Sequence, residues 1–187
     1  MDEPAALQAT RAWVEHAVIG LNLCPFAKAV QSKNLIRYTC SDARDTAALR
    51  DVLRSELQRL ADTPIEQLET TMLVHPQVLG DFLDYNDFLD EADALLCEMG
   101  LDGTLQIASF HPHYQFAGSA ADDIENATNR SPYPTLHLLR EVSIERAVAA
   151  FPEPEAIYET NMRTLRALGT HGWAALQARC LRAAQGG

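Results

Sequence analysis

Hydrophobic positions near the start of the chain recur at helical spacing. Leu7, Val14, Val18 and Leu21 share one stripe, which predicts a first helix over residues 5–20, with Asp2 and Pro4 as its start signal. Gly20 interrupts the stripe, and Pro25 pushes Cys24 out of helical geometry. The period then shortens. Leu35-Ile36-Arg37-Tyr38-Thr39 is rich in branched and aromatic residues and reads as a strand. Residues 44–61 return to helical spacing, with Leu49, Val52, Leu53, Leu57 and Leu60 on one face. A second strand, Thr70 to His75, stops at Pro76, and a long helix from Asp81 to Met99 ends at Gly100, a C-terminal cap. Thr104 to Phe110 forms a third strand before Pro112.

The rest of the chain reads as helical: a short turn or helix near 120–127, a stretch from Pro134 to Phe151, and helices over 154–168 and 170–184. Phe151-Pro152-Glu153-Pro154 is a connector, Pro154 opens the first of the last two helices, and Gly169 separates them. Strand–helix–strand–helix–strand amounts to two consecutive crossover units. The expected fold is therefore α/β: a small, mostly parallel three-stranded sheet covered by helices, with a helical C-terminal third, all within a single domain spanning 1–187.

That topology makes a chemical prediction. Ligands of open parallel sheets bind beyond the carboxyl ends of the strands. Three strands would deliver Thr39 and Cys40, then His75-Pro76, then His111-Pro112-His113 to one edge. In an extended H-x-H segment both rings point the same way. His75, His111 and His113 are thus the candidate catalytic residues. Neutral imidazoles serve as acid and base near neutral pH, and three of them also form the donor set of a divalent metal such as zinc. The plain alternative is that strand-end histidines only bind loop carbonyls.

The segment after the third strand is rich in polar groups. Asn126 and Asn129 lie one helical turn apart, Arg130 offers a fork for a carboxylate or phosphate, and Tyr133 stands between two prolines. His137 and Arg140 follow as further walls of a substrate pocket. The alternative is a capped loop in which Arg130 pairs with Asp122 or Asp123. Cys24, just ahead of Lys28, is a candidate nucleophile or redox group, or simply a small buried hydrophobe.

Charge narrows the partners. The formal net charge is -11, so the surface repels polyanions and nucleic-acid binding is not expected. An anionic substrate would need a concentrated cationic pocket. The carboxylates of the 81–99 helix leave its apolar stripe free and read as a solvated face, or as a surface for a basic partner. No apolar run reaches the roughly 20 residues of a membrane helix. The acidic start lacks the features of a secretory signal. The 4 cysteines are scattered, as free thiols of a cytoplasmic protein would be. No GxGxxG, GxxxxGK[ST] or GxSxG segment occurs.

Several segments together carry a family resemblance: Gly20-Leu21-Asn22-Leu23-Cys24-Pro25-Phe26-Ala27; Val74-His75-Pro76 with Asp81-Phe82-Leu83-Asp84-Tyr85-Asn86-Asp87-Phe88-Leu89; Gln106-Ile107-Ala108-Ser109-Phe110-His111-Pro112 running on through Tyr114-Gln115-Phe116; and Asn129-Arg130-Ser131-Pro132-Tyr133-Pro134 through Glu141. Leu168-Gly169 and Gly172-Trp173 extend them late in the chain. The sequence resembles the bacterial DUF1415 family, a domain of unknown function. The resemblance implies a compact cytoplasmic domain and transfers no catalytic residue.

The leading functional expectation is a small enzyme acting on a small anionic molecule. Acid–base chemistry at the histidines, with or without a metal, would do the work. Two alternatives are a non-catalytic metal- or ligand-binding protein using the same histidines, and an interaction protein presenting the acidic helix.

Overall fold

A computed structural model describes residues 4–150 and 155–183. Along the chain run α1 (Ala5–Trp13), continued by a π-helical turn (Val14–Ile19), α2 (Ala27–Ser32), β1 (Ile36–Cys40), α3 (Thr46–Asp62), β2 (Thr70–Val74), α4 (Phe82–Glu98) and β3 (Leu105–Phe110). A 3-10 turn (Ile124–Asn129), β4 (Thr135–Arg140), α5 (Glu141–Ala149) and α6 (Glu155–Ala183) complete it. α6 is broken at Gly169, whose φ of 68° is a left-handed value suited to glycine. The expected break between two terminal helices is therefore present. The connector at 151–154 and the Asp2 start signal lie outside the described residues.

The sheet differs from the expected one. It has four strands in the order β1-β2-β4-β3. β1 and β2 pair in parallel, while β4 runs antiparallel to both β2 and β3. The added strand is Thr135-Leu136-His137-Leu138-Leu139-Arg140, expected to be helical. Leu136, Leu139 and Arg140 fit helical spacing as readily as a strand. Both faces of β4 are covered, so no polar alternation marks it. Because β4 opposes both neighbours, β1, β2 and β3 still point the same way. Their carboxyl ends share one edge, as the crossover argument requires.

Helices cover both faces of the sheet. On one, Leu73, Leu105, Leu136 and Leu138 pack against Leu49, Leu53 and Leu57 of α3 and Tyr85, Phe88 and Leu95 of α4. On the other, Tyr38, Met72, Val74 and Phe110 meet Trp13 of α1 and Leu165 and Trp173 of α6. α4 starts where Asp81 accepts hydrogen bonds from the Leu83 and Asp84 amides. It ends where Gly100 adopts φ 65°. Among the described residues no helix is long and apolar enough to cross a membrane.

Candidate functional site

The carboxyl edge brings His75 and His111 against the ring of Tyr85. The Tyr85 ring stacks on His75 at 5.8 Å between centroids and meets His111 at 5.1 Å. Its hydroxyl donates to the Thr135 carbonyl at 2.8 Å and accepts from the Phe110 amide at 3.1 Å. A helix residue thus ties the end of β3 to the start of β4, and both histidines pack on its ring.

Neither of these imidazoles faces solvent, and both have 0% exposure. His75 Nδ1 donates to the Val78 carbonyl at 3.1 Å. His111 Nε2 donates to the Leu79 carbonyl at 3.2 Å, and its Nδ1 accepts from the His113 amide at 3.0 Å. This network assigns the neutral tautomer of each. Burial, the largest cause, holds the His75 pKa down at about 4 and lowers that of His111. Together the two rings pin the 76–80 loop, where Leu79 sits at φ 58°. The expected three-histidine metal set is not formed: His113 is exposed, and no group of three or more His, Cys, Asp or Glu among the described residues fits a metal ion.

The polar segment also binds mainly to its own backbone. Asn126 Oδ1 accepts from the Phe116 amide and the Ser119 hydroxyl, and its Nδ2 donates to the Ala120 carbonyl. Asn129 Nδ2 donates to the Ser109 carbonyl. Arg130 Nε donates to the Tyr114 carbonyl at 3.1 Å and Nη2 to the Ala121 carbonyl at 2.6 Å. Tyr133 packs against the α1–α6 side of the core. Arg140 lies at the opposite edge of the sheet, where its guanidinium donates to the Leu60, Thr63 and Leu68 carbonyls. It secures the end of α3 there and cannot wall a pocket at the carboxyl edge.

His137 lies on the other face of the sheet from His75 and His111. It pairs with Met72 and Ala108 across β4 and faces the α1 side. There it lines an apolar cavity of about 310 Å3 between the sheet and the helices, together with Trp13, Cys24, Phe110, Ile144 and Val148. His137 Nε2 lies 2.6 Å from the Thr70 hydroxyl, which itself donates to the Leu138 carbonyl at 2.6 Å. A hydroxyl has one proton, so Thr70 must accept from Nε2–H. Nδ1 is left as an acceptor with no partner among the described residues. The ring keeps a partly accessible edge, yet protein surrounds it closely enough for burial to hold its pKa near 4.

The comparisons with known proteins add a family and nothing more specific. The family model described as "Protein of unknown function (DUF1415)" matches residues 5–175. The chain belongs to that family. No curated protein and no solved structure matches it. The span matched by the DUF1415 model contains every residue lining the cavity.

Within this DUF1415 domain, sequence reasoning singled out His137 and Cys24 but placed them in other surroundings. Thr70, Trp13, Phe110 and Ile144 escaped notice. Apolar residues that line a cavity carry the same pattern as those that fill a core. Only the strand pairing of β2 with β4 brings Thr70 against His137.

Proposed function

We propose that this protein binds a small, neutral, mostly apolar molecule in the cavity lined by His137, and that His137 Nδ1 receives a hydrogen bond from it. The single observation that carries this reading is the pairing of a nearly wholly apolar cavity with one imidazole of fixed tautomer. Ligand pockets typically have this composition, with hydrophobic walls and a few placed polar groups, and begin at about 300 Å3. The cavity's volume of about 310 Å3 suits a molecule the size of one or two fused rings.

Charge favours a neutral ligand over the anion expected from sequence. No lysine or arginine lines the cavity, whereas Glu69 does. A carboxylate or phosphate placed there would lose its hydration without gaining a counterion. His137 offers no cation, because its own charged form is disfavoured by burial. An enzymatic role would need a reacting group beside the ligand. His137 as a weak base and Cys24 as a thiol are the groups in place, and binding is the function the geometry supports best.

Thermal unfolding with three probes tests the reading. 2-Naphthol, which donates a hydrogen bond, should raise the unfolding temperature most. 2-Methoxynaphthalene, with the same rings and no donor, should raise it less, and 2-naphthoate should have no effect. Equal stabilisation by the anion, or none by any probe, would overturn the proposal.

A further inference from the structure

A second concavity lies where the β3 exit loop meets α6. Its volume is about 360 Å3, and His113, Arg130, Ser131 and Gln177 line it together with Pro112 and Pro132. Its chemistry differs from that of the His137 cavity: a far larger share of its lining is polar, it carries a guanidinium and an exposed imidazole beside Leu181, and no carboxylate lines it.

Arg130 is the informative residue. Its Nε and Nη2 are held by the Tyr114 and Ala121 carbonyls, which fixes the plane of the guanidinium. Those acceptors are neutral. Among the described residues Arg130 makes no salt bridge, and the Asp123 charge reaches it only through space. The expected alternative, a loop arginine paired with Asp122 or Asp123, is therefore not what forms. Partial burial of an arginine charge without a contacting counterion is costly, and the protein as a whole is acidic enough to have supplied one. Two carbonyl bonds leave Nη1 without a partner among the described residues, and His113, Gln177 and two rigid prolines complete the concavity.

We infer that this cleft binds a small oxyanion of the phosphate or carboxylate class, with Arg130 Nη1, Gln177 and His113 as its donors. The fixed guanidinium supplies charge and a planar donor edge. Gln177 and His113 supply hydrogen bonds from separate elements, so the site exists only when α6 is docked on the loop. Gln177 lies beyond residue 175, where the family match ends. This inference is independent of the His137 cavity, since the two share no lining residue.

The test is an NMR titration of the His113 ring signals with inorganic phosphate, and separately with malonate, at constant ionic strength set by sodium chloride. The expected result is a saturable shift with at least one of the two and none with added chloride. Gln177→Glu places a carboxylate in the cleft and leaves the Arg130 carbonyl bonds alone. It should weaken binding at least tenfold while the amide spectrum of the sheet stays unchanged. Arg130→Met should also abolish the shift. An unshifted His113 ring with both anions, or undiminished affinity in a folded Gln177→Glu protein, would overturn the inference. Preference between phosphate and malonate identifies which oxyanion class the site takes.

Discussion

The Thr70 hydroxyl stands 2.6 Å from His137 Nε2 and 2.6 Å from the Leu138 carbonyl, so a strand threonine decides which nitrogen of a buried imidazole carries the proton. The chain gains an acceptor inside a mostly apolar space that Glu69 and Ser143 also line. Selectivity for a hydrogen-bond donor follows from that one arrangement.

Replacing His137 should remove the selectivity while keeping the cavity. In His137→Phe, affinity for 2-naphthol should fall by about tenfold, the usual value of one buried hydrogen bond. Affinity for 2-methoxynaphthalene should hold or rise. Isothermal titration of both probes reads the difference. A parallel loss for the two would mean that the ring acts by shape alone.

Acid should destabilise the protein through His75. Its folded pKa, about 4, lies below the ordinary value of 6.5, so the unfolded chain binds more protons between those values. Stability is fully present above pH 6.5 and is lost as the pH falls toward 4. The loss from this one group is about 2 kcal/mol at pH 5. His111, lowered by the same burial, adds in the same direction. Urea unfolding at pH 7 and pH 5 measures it, and His75→Asn should show a smaller difference between the two.

His75 and His111 should behave as structural residues. Each holds a carbonyl of the 76–80 loop, and truncation leaves that acceptor without a partner and removes one of the rings packed on Tyr85. His75→Ala and His111→Ala should each cost about 2–4 kcal/mol without changing probe binding in protein that remains folded. Zinc should not raise the unfolding temperature of the parent protein. A stoichiometric zinc complex lost in His111→Ala would contradict this.

Arg140 offers a separate check on the fold. It donates to three carbonyls around the end of α3 and the approach to β2. Arg140→Ala should cost about 1–3 kcal/mol and speed hydrogen exchange in residues 59–68 ahead of the rest. Uniform acceleration would argue against a local clasp.

Much of this architecture was legible in the sequence, and the reasons for the remainder are physical. The first three strands, the helix start at Asp81 and the break at Gly169 all rest on local signals. Those signals placed His75 and His111 at one edge correctly. β4 has no such signal, because a strand buried on both faces shows no alternation, and its leucines fit a helix equally well. Missing it also misplaced its residues: His137 belongs to the far face and Arg140 to the far edge. The run from Asn126 to Asn129 looked like a ligand site because side chains that satisfy a loop's backbone are the same types that bind substrates. Only partner identity separates the two roles, and sequence does not print it.

The most direct test of the central claim is fluorescence titration with the neutral probe N-phenyl-1-naphthylamine, excited directly, on the parent protein and on Ala147→Phe and Ala108→Leu. Both alanines line the cavity, and Ala147 sits on α5, outside the sheet. The account predicts saturable, blue-shifted emission at one probe per chain, weakened at least tenfold when either position is filled. Absence of binding to the parent protein, or equal binding to folded variants with the cavity filled, would contradict it.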